Sequence, residues 1–292
     1  MPHEIMNWDK FNTDVDTWIK KENGYMSISA VEDMIKAPFD KEGCAKKCEE
    51  KGKTIPGYKY EGMTAKQIME AWEAKAEESK QYGRWLDEYA EAKFCGTPTD
   101  MDLYFLDHDV DSDERLKGHV QAMNAFYDRM LRSDDVKFIT REQNVWLQMS
   151  DDRAIRGRFD AVFYNFALKK YIVVDWKSNE YIETTPNRWT NKLLGPMKEY
   201  YDLSWWKYTL QTSFYKMALL KSDYIETDNP DDVMTLIVNL PAKPYDDVHS
   251  VVHGQPYCMF KPAFEYNEDL LTKTFDYALK KKKLLELKAA KK

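Results

Sequence analysis

Residues 154–178 are AIRGRFDAVFYNFALKKYIVVDWKS, and this stretch decides the fold. Apolar and polar residues tend to alternate in AIRGRFDAVFY (154–164) and in KYIVVDWKS (170–178), with a short connection at residues 165–170. Alternation with a period of two is typical of β-strands, and a short connection between two such strands is typical of a hairpin. The stretch therefore predicts two antiparallel strands at the centre of a sheet.

A cluster of charged side chains is expected at the end of this hairpin. Asp175 and Lys177 alternate along the second strand, so they share one face and lie about 6.6 Å apart along it. Antiparallel pairing with the first strand would bring Asp160 alongside them. Carboxylates together with water and phosphate oxygens are the ligands that Mg²⁺ prefers, so the three residues predict a divalent metal site. An ordinary Asp–Lys pair on a solvent-facing hairpin would show the same spacing.

Helices and further strands surround this hairpin in the chain. Ser29 and Glu32 have the spacing of a capping box. Strands are expected in residues 137–149 and 232–242, and helices in residues 30–37, 65–94, 114–132, 204–220 and 268–292. The order of helices, strands, helix, strand and helix predicts an α/β fold, a mixed sheet covered by helices.

Composition excludes several classes of protein. The chain has 292 residues, a net charge of −7 and four cysteines. The acidic charge argues against a protein that coats nucleic acid through bulk electrostatics, and no apolar run approaches the ~18 residues of a membrane span. The first residues lack the apolar core of a signal peptide, and four cysteines in so long a chain do not form a disulfide framework. We therefore expect an intracellular, cytoplasmic protein that is not secreted and does not bind a membrane.

Four motifs occur in the order seen in one nuclease family. They are Glu142 in REQNVW, Gly157-Arg-Phe-Asp160, Asp175-Trp-Lys177 and Gln211-Thr-Ser-Phe-Tyr215. This order resembles the RecB-like exonuclease branch of the PD-(D/E)XK nuclease superfamily, found in recombination enzymes, mitochondrial genome-maintenance exonucleases, phages and large DNA viruses. The resemblance extends from about Tyr25 to the final helix, and includes SISAVEDMIKAPFD and residues 62–91.

The resemblance implies a restriction-endonuclease-like fold and a role for each motif residue. One nuclease domain would span residues 1–292, with the mainly helical residues 1–135 roofing the cleft and residues 136–292 holding the sheet core. The implied roles are Asp160 and Asp175 as metal ligands, Lys177 as the catalytic lysine, Glu142 as an acidic residue that binds metal or orients the site, and Gln211 with Tyr215 as contacts to DNA that also support the lysine. Glu142 could equally be a rim carboxylate, and Tyr215 a core residue.

One position departs from the family pattern. The branch has a G-x-x-x-H motif whose histidine is a further metal ligand, and the segment aligned on Gly83 has Asp87 in its place. A carboxylate is a competent ligand for Mg²⁺ or Mn²⁺, and Glu91 shares the helix face of Asp87. His119 is the rival candidate for this role. We expect Asp87 to be the additional ligand.

The cysteines do not match the iron–sulfur pattern of some relatives. Those proteins use one early and three late cysteines, whereas Cys44, Cys48 and Cys95 are early here and Cys258 alone is late. No iron–sulfur cluster is therefore expected. One or two Mg²⁺ or Mn²⁺ ions are the expected cofactors.

The resemblance implies a metal-dependent deoxyribonuclease that acts in DNA recombination, repair or processing. The expected activity is exonucleolytic hydrolysis of phosphodiester bonds at DNA ends or in single strands. A structure-specific or nicking endonuclease is one alternative. A catalytically inactive scaffold that binds DNA ends is another. Covalently closed circular DNA separates the first two, because a pure exonuclease leaves it intact.

Overall fold

A computed structural model of the protein describes residues 5–11, 25–150 and 153–290. The chain divides into two compact units. The sheet unit comprises Met1–Lys36 and His108–Lys292, and the helical unit comprises Ala37–Asp107. Residues 1–4 and 12–14, part of the first stretch that lacks the apolar core of a signal peptide, lie outside the described residues.

Strands and helices alternate along the sheet unit much as the sequence patterns predict. The strands in the described residues are β1 (Tyr25–Ser27), β2 (Val136–Ser150), β3 (Arg153–Asn165), β4 (Lys170–Lys177), β5 (Val233–Asn239) and β6 (Cys258–Phe260). The helices are α1 (Ile28–Ile35), α2 (Lys41–Thr54), α3 (Ala65–Phe94), α4 (Pro98–Asp107), α5 (Glu114–Met130), α6 (Ser204–Lys221) and α7 (Glu268–Ala289). Strands β1 and β6 and helices α2 and α4 have no counterpart among the predicted elements.

The six strands form one mixed sheet. Its order is β1-β3-β4-β5-β6, with β2 pairing β3 as well. The β1–β3 and β4–β5 pairs are parallel, whereas β2–β3, β3–β4 and β5–β6 are antiparallel. The predicted α/β class, with a mixed sheet flanked by helices, is confirmed.

Strand β3 has a gap in its pairing on one edge. Strand β1 pairs with residues 154–156 of β3, and β4 pairs with residues 161–165. Gly157–Arg158–Phe159–Asp160 therefore lie between two ladders, where neighbouring strands diverge from one another. Backbone and side chains at such a fork are open to groups from other elements, and the candidate site lies here.

One face of the sheet is covered by α6, with α1 and α7 packed beside it. Helix α6 is buried on most of its sides, as Leu210, Phe214 and Leu219 show no exposed surface. Val173 of β4 belongs to the same core cluster as these residues. Asp175 lies two residues beyond Val173, so it also points towards α6.

Helix α1 begins two residues earlier than the capping-box spacing predicts. Its N-cap is Ser27, whose hydroxyl accepts a hydrogen bond from the backbone N–H of Ala30 at 3.2 Å. Ser29 and Glu32 are therefore inside the helix, and the predicted capping box between them is wrong. Ile28, Val31 and Ile35 form the buried stripe of the helix. This stripe also carries Glu32, which is thereby directed into the protein.

Helix α5 packs on the opposite face of the sheet. The ring of Phe126 meets Phe163 edge-on, with centroids 6.1 Å apart. Phe163 follows Val162, which points towards α6, so the two residues lie on opposite faces of β3. Gly118 allows this helix to approach the backbone that follows β5, because a Cβ at residue 118 would lie 1.8 Å from the carbonyl oxygen of Ala242.

The helical unit is held together by its own contacts. Helix α3 begins at Thr64, which forms a capping box with Gln67. Trp72 donates a hydrogen bond through its indole N–H to the hydroxyl of Tyr60 at 2.7 Å, and its ring also packs against Phe39.

None of the helices in the described parts of the chain is both long and apolar enough to cross a membrane.

Candidate active site

Asp175 and Lys177 form an ion pair at the end of β4. The Nζ of Lys177 lies 2.7 Å from the Oδ2 of Asp175, whose side chain is fully buried. Burial by itself lowers the pKa of Lys177, but the carboxylates of Asp175 and Asp160 outweigh this effect and hold that pKa above its ordinary value. Lys177 is therefore a fixed positive charge with a fifth of its side chain accessible.

Asp160 completes a group of three charges. The ladder between β3 and β4 ends at the pair Ala161–Val174, one residue before Asp160 and Asp175. Beyond this point the Oδ2 of Asp160 accepts a hydrogen bond from the backbone N–H of Trp176 at 2.7 Å. That bond fixes the carboxylate beside β4. The structure thus brings together the two carboxylates and the amine that the sequence pattern singles out.

Tyr208 in the first turns of α6 packs over the lysine. The Nζ of Lys177 lies 4.8 Å from the centroid of the Tyr208 ring, a distance at which a cation is attracted to the ring face. The hydroxyl of Tyr208 donates to the side-chain oxygen of Asn179 at 3.0 Å. Helix α6 therefore restrains the lysine from one side, a contact that the sequence analysis did not predict.

Gln211 and Tyr215 lie one and two helical turns further along α6, where they support the same three charged groups. The side-chain amide of Gln211 donates to the hydroxyl of Tyr215 at 2.7 Å. Burial and the neighbouring charges of Asp175 and Asp160 raise the pKa of Tyr215 well above its ordinary value, so this hydroxyl keeps its proton. Tyr215 is only 2% exposed, so its predicted contact with DNA is not supported and it acts as a support beneath the carboxylates.

Gly157 is needed for this packing. A Cβ at its position would lie 2.6 Å from a ring carbon of Tyr215 and 2.4 Å from the terminal carbon of Ile28. Any other residue would push Tyr215 or α1 away from β3. The glycine of the G-x-x-D motif and the tyrosine of the Q-x-x-x-Y motif are therefore in contact, which neither motif indicates by itself.

Glu32 is a third carboxylate at the site, and none of the sequence motifs includes it. Burial raises its pKa to about 7, while the positive charges of Lys177 and Lys36 act in the opposite direction. Its Oε1 is buried and has no hydrogen-bond partner among the described residues. The available signal was its position: Glu32 is four residues after Ile28 and three before Ile35, on the apolar stripe of α1.

The raised pKa of Glu32 predicts a pH-dependent stability. In the unfolded chain its pKa returns to about 4.5, so between pH 4.5 and 7 the folded state holds a proton that the unfolded state has released. Its contribution to stability is therefore present below pH 4.5 and is lost as the pH rises through 7. Replacing Glu32 with glutamine should raise the free energy of unfolding at pH 8 by at most about 3 kcal/mol, reduced by solvent contact, and have little effect at pH 5.

Urea denaturation in EDTA at pH 5 and pH 8 measures this difference. An exposed glutamate on α7 provides a matched control, since Glu286→Gln should give the same small change at both pH values. A Glu32→Gln effect of equal size at pH 5 and pH 8 would contradict a raised pKa for this carboxyl.

Glu142 lies opposite the fork, and its carboxylate pairs with arginine side chains. It is one of the non-glycine residues with a positive φ, 53°, a conformation that costs of the order of 1 kcal/mol. Its Oε2 lies 2.7 Å from the Nε of Arg158, and its Oε1 lies 3.9 Å from a guanidinium nitrogen of Arg141. The structure thus places Glu142 in an arginine-paired position, and its role in metal binding stays a prediction.

His119 and Asp87, the two candidates for the additional ligand, belong to different units. Asp87 lies on α3 in the helical unit. His119 lies on α5 in the sheet unit, 1% exposed, with its Nδ1 2.6 Å from the carbonyl oxygen of Leu240. Because a carbonyl only accepts, Nδ1 carries the proton, and burial lowers the pKa of the ring, which favours the neutral form. Neutral imidazole with one nitrogen anchored to a carbonyl is the form that binds metals.

The comparisons with known proteins give little further information. Neither a protein-family model nor a curated protein sequence matches the chain. A solved structure named SSO0001 is similar over 93% of this chain and 84% of its own, at 9% sequence identity and a TM-score of 0.34. A likeness at this level carries no argument about function.

The carboxylate oxygens at the site partly meet the requirements of a hard divalent cation. Asp160 and Asp175 supply carboxylate oxygens, and the Oε1 of Glu32 is a buried oxygen whose charge a cation would compensate. Within the described residues, no three His, Cys, Asp or Glu side chains form a ready-made metal site. Mg²⁺ commonly binds one or two protein carboxylates and completes its shell with water and substrate phosphate, which is the arrangement available here.

Proposed function

We propose that this protein is a metal-dependent deoxyribonuclease of the PD-(D/E)XK type, acting as an exonuclease in DNA recombination, repair or processing. The observation that supports this most directly is the convergence of Asp160, Asp175 and Lys177 at the fork between β3 and β4. These residues come from two motifs separated in sequence, and they meet on the face covered by the Gln211–Tyr215 helix. An ordinary surface ion pair would not require a fully buried aspartate.

Each residue has a defined task in this proposal. Asp160 and Asp175 would hold one or two Mg²⁺ or Mn²⁺ ions, which would supply a lowered pKa of bound water and compensation of the charge on the scissile phosphate. Lys177 presents its ammonium to the reacting phosphate and orients the attacking water. Water attacks phosphorus and releases one proton to solvent, the bond from phosphorus to the leaving sugar oxygen breaks, and that oxygen takes up a proton from solvent. Tyr208 and Tyr215 keep the three charged groups in position.

Degradation of end-labelled linear DNA tests the proposal. We expect the protein to release nucleotides in Mg²⁺ or Mn²⁺, to leave covalently closed circular DNA intact, and to be inactive in EDTA. Cleavage of circular DNA would show that the protein is an endonuclease and not an exonuclease. Absence of metal-dependent cleavage on both substrates would refute a nuclease function and favour a scaffold that binds DNA ends.

Asp160→Asn is the variant best suited to this assay. The asparagine oxygen can still accept the hydrogen bond from the N–H of Trp176, so the fork is retained while one ligand charge is lost. We expect a loss of cleavage of about 100-fold or more without a change in thermal stability beyond a few degrees. Full activity in this variant would exclude Asp160 as a metal ligand.

A further inference from the structure

The connection from β4 to α6, here called the β4–α6 loop, is unusually long. It spans residues 178–203, and its regular structure is a short 3₁₀ turn at Gly195–Met197 and an isolated antiparallel bridge between Lys192 and Tyr201. Loops beyond about 12–15 residues without regular structure are uncommon in compact domains and are usually functional when ordered. This loop starts directly after Lys177 and ends one turn before Tyr208, which packs over that lysine. Both of its ends therefore flank the candidate active site.

Two anchors fix the first half of the loop. Ile182 is 1% exposed and packs in a core cluster with Ile237 and Phe260. Its backbone N–H donates to the hydroxyl of Tyr245 at 3.0 Å. Thr184 donates to a carboxylate oxygen of Asp247 at 3.1 Å. The stem that leads away from the active site is therefore tied to the sheet unit.

The second half of the loop is fixed in the same way. Leu193 is buried in the main core, and its N–H donates to the carbonyl oxygen of Tyr200 at 2.9 Å. The next residue, Leu194, donates to the carbonyl oxygen of Ile35 in α1 at 2.7 Å. The residues between the two stems are consequently held on rigid supports.

The tip of the loop, residues 187–190, is a hydrogen-bonded turn that displays a tryptophan. The N–H of Asn187 donates to the hydroxyl of Thr190 at 2.9 Å, and the N–H of Trp189 donates to the side-chain oxygen of Asn187 at 2.8 Å. Trp189 is nevertheless 77% exposed. The guanidinium carbon of Arg188 lies 4.8 Å from the centroid of the indole ring. A large aromatic ring is thus presented to solvent with a positive charge beside it.

We infer that the loop tip binds single-stranded DNA by stacking Trp189 on an unpaired base while Arg188 contacts the adjacent phosphate. An indole has two faces, and with Arg188 over one of them a base can stack on the other. Stacking on aromatic rings beside a basic side chain is the general mode by which proteins hold unpaired nucleotides. A base inside a duplex is already stacked on both of its faces, so a blunt duplex offers only its terminal pairs to the ring. The inference rests on the proposed function, and it assigns unpaired strands as the substrate class.

Fluorescence anisotropy with labelled oligonucleotides in EDTA tests the inference without cleavage. We expect Trp189→Ala to weaken binding of a 30-nucleotide single strand by about 5- to 150-fold and binding of a blunt duplex much less. Trp189→Phe should retain most of the affinity, because phenylalanine also stacks. Arg188→Gln should lower the slope of log affinity against log salt by about 0.7. Leu168→Ala, at the exposed β3–β4 turn, is the matched control and should bind as the parent does.

The outcomes separate this inference from the proposed function. Unchanged single-strand affinity in Trp189→Ala, or an equal loss on single strands and duplex, would overturn the stacking role while leaving the cleavage assay unaffected. The protein could instead bind single strands through Trp189 and show no metal-dependent cleavage. That result would support the stacking role of Trp189 and refute the proposed nuclease function. Since Trp189 is exposed, its substitution should not alter thermal unfolding, which checks that a loss of binding is local.

Discussion

Replacing Lys177 with alanine is expected to lower the rate of Mg²⁺-dependent DNA cleavage by about 10³-fold. The ammonium of Lys177 is held 2.7 Å from the carboxylate of Asp175 and packs against the Tyr208 ring, so its position is set before substrate binds. Removing one preorganised positive group from a reacting centre typically lowers the rate by 10²–10³-fold. Single-turnover rates on end-labelled linear DNA at saturating Mg²⁺ measure the effect on the chemical step.

A lysine at the other end of the same strand provides the control for this variant. Lys170 begins β4, about 23 Å from Lys177 along the strand, and Lys170→Ala should cleave at the parent rate. Lys177→Gln separates charge from bulk, because glutamine retains most of the stem and loses the ammonium. Both Lys177 variants should be equally slow. A rate within threefold of the parent for either one would remove Lys177 from the mechanism and with it the PD-(D/E)XK assignment.

The hairpin and the long helices were predictable because their signals are local. A period of two in YIVVDWK and a period near 3.6 in α3 and α5 each arise from a single segment whose one face is buried. The juxtaposition of Asp175 with Lys177 follows from the same alternation. These features require no knowledge of any other part of the chain.

Elements that depend on distant parts of the chain show no local periodic pattern in the sequence. Strand β1 has three residues, too few for a periodic pattern, and it is a strand because it pairs in parallel with β3. Glu32 was assigned to a cap, since its spacing from Ser29 suits one. Its actual environment is set by Lys177 and Asp175, far away in sequence.

The exposure of Tyr215 and of Trp189 could not be predicted from sequence either, since the first side chain is buried and the second is exposed. The Q-x-x-x-Y motif indicates that Tyr215 shares a helix face with Gln211, but only the fork in β3 determines that this face is buried. Trp189 lies in a segment without periodicity, and its exposure follows from the two anchored stems around it. Burial is a property of the assembled fold, so a side chain's accessibility is the least predictable part of the site.

Replacing Asp175 with alanine is expected to lower the free energy of unfolding by about 3–5 kcal/mol. Its carboxylate is fully buried and offsets the charge of Lys177, and removal of one member of a buried ion pair typically has this cost. A smaller effect acts in the opposite direction, because the negative charge of Asp175 raises the pKa of Glu32 and its removal relieves that repulsion. The direct contact at 2.7 Å with Lys177 should dominate. Urea denaturation in EDTA at pH 7 measures the difference.

A double-mutant cycle decides whether this cost arises from the ion pair. In the Lys177→Met background the lysine charge is gone, so the same Asp175→Ala change should be close to neutral or even stabilising. The two backgrounds should therefore differ by at least about 2 kcal/mol, within the range measured for residues in contact. An equal cost in both would mean that Asp175 stabilises the fold by filling space beside α6. Asp175→Asn, which preserves volume and removes charge, should then resemble the parent, whereas under ion pairing it should be destabilised almost as much as Asp175→Ala.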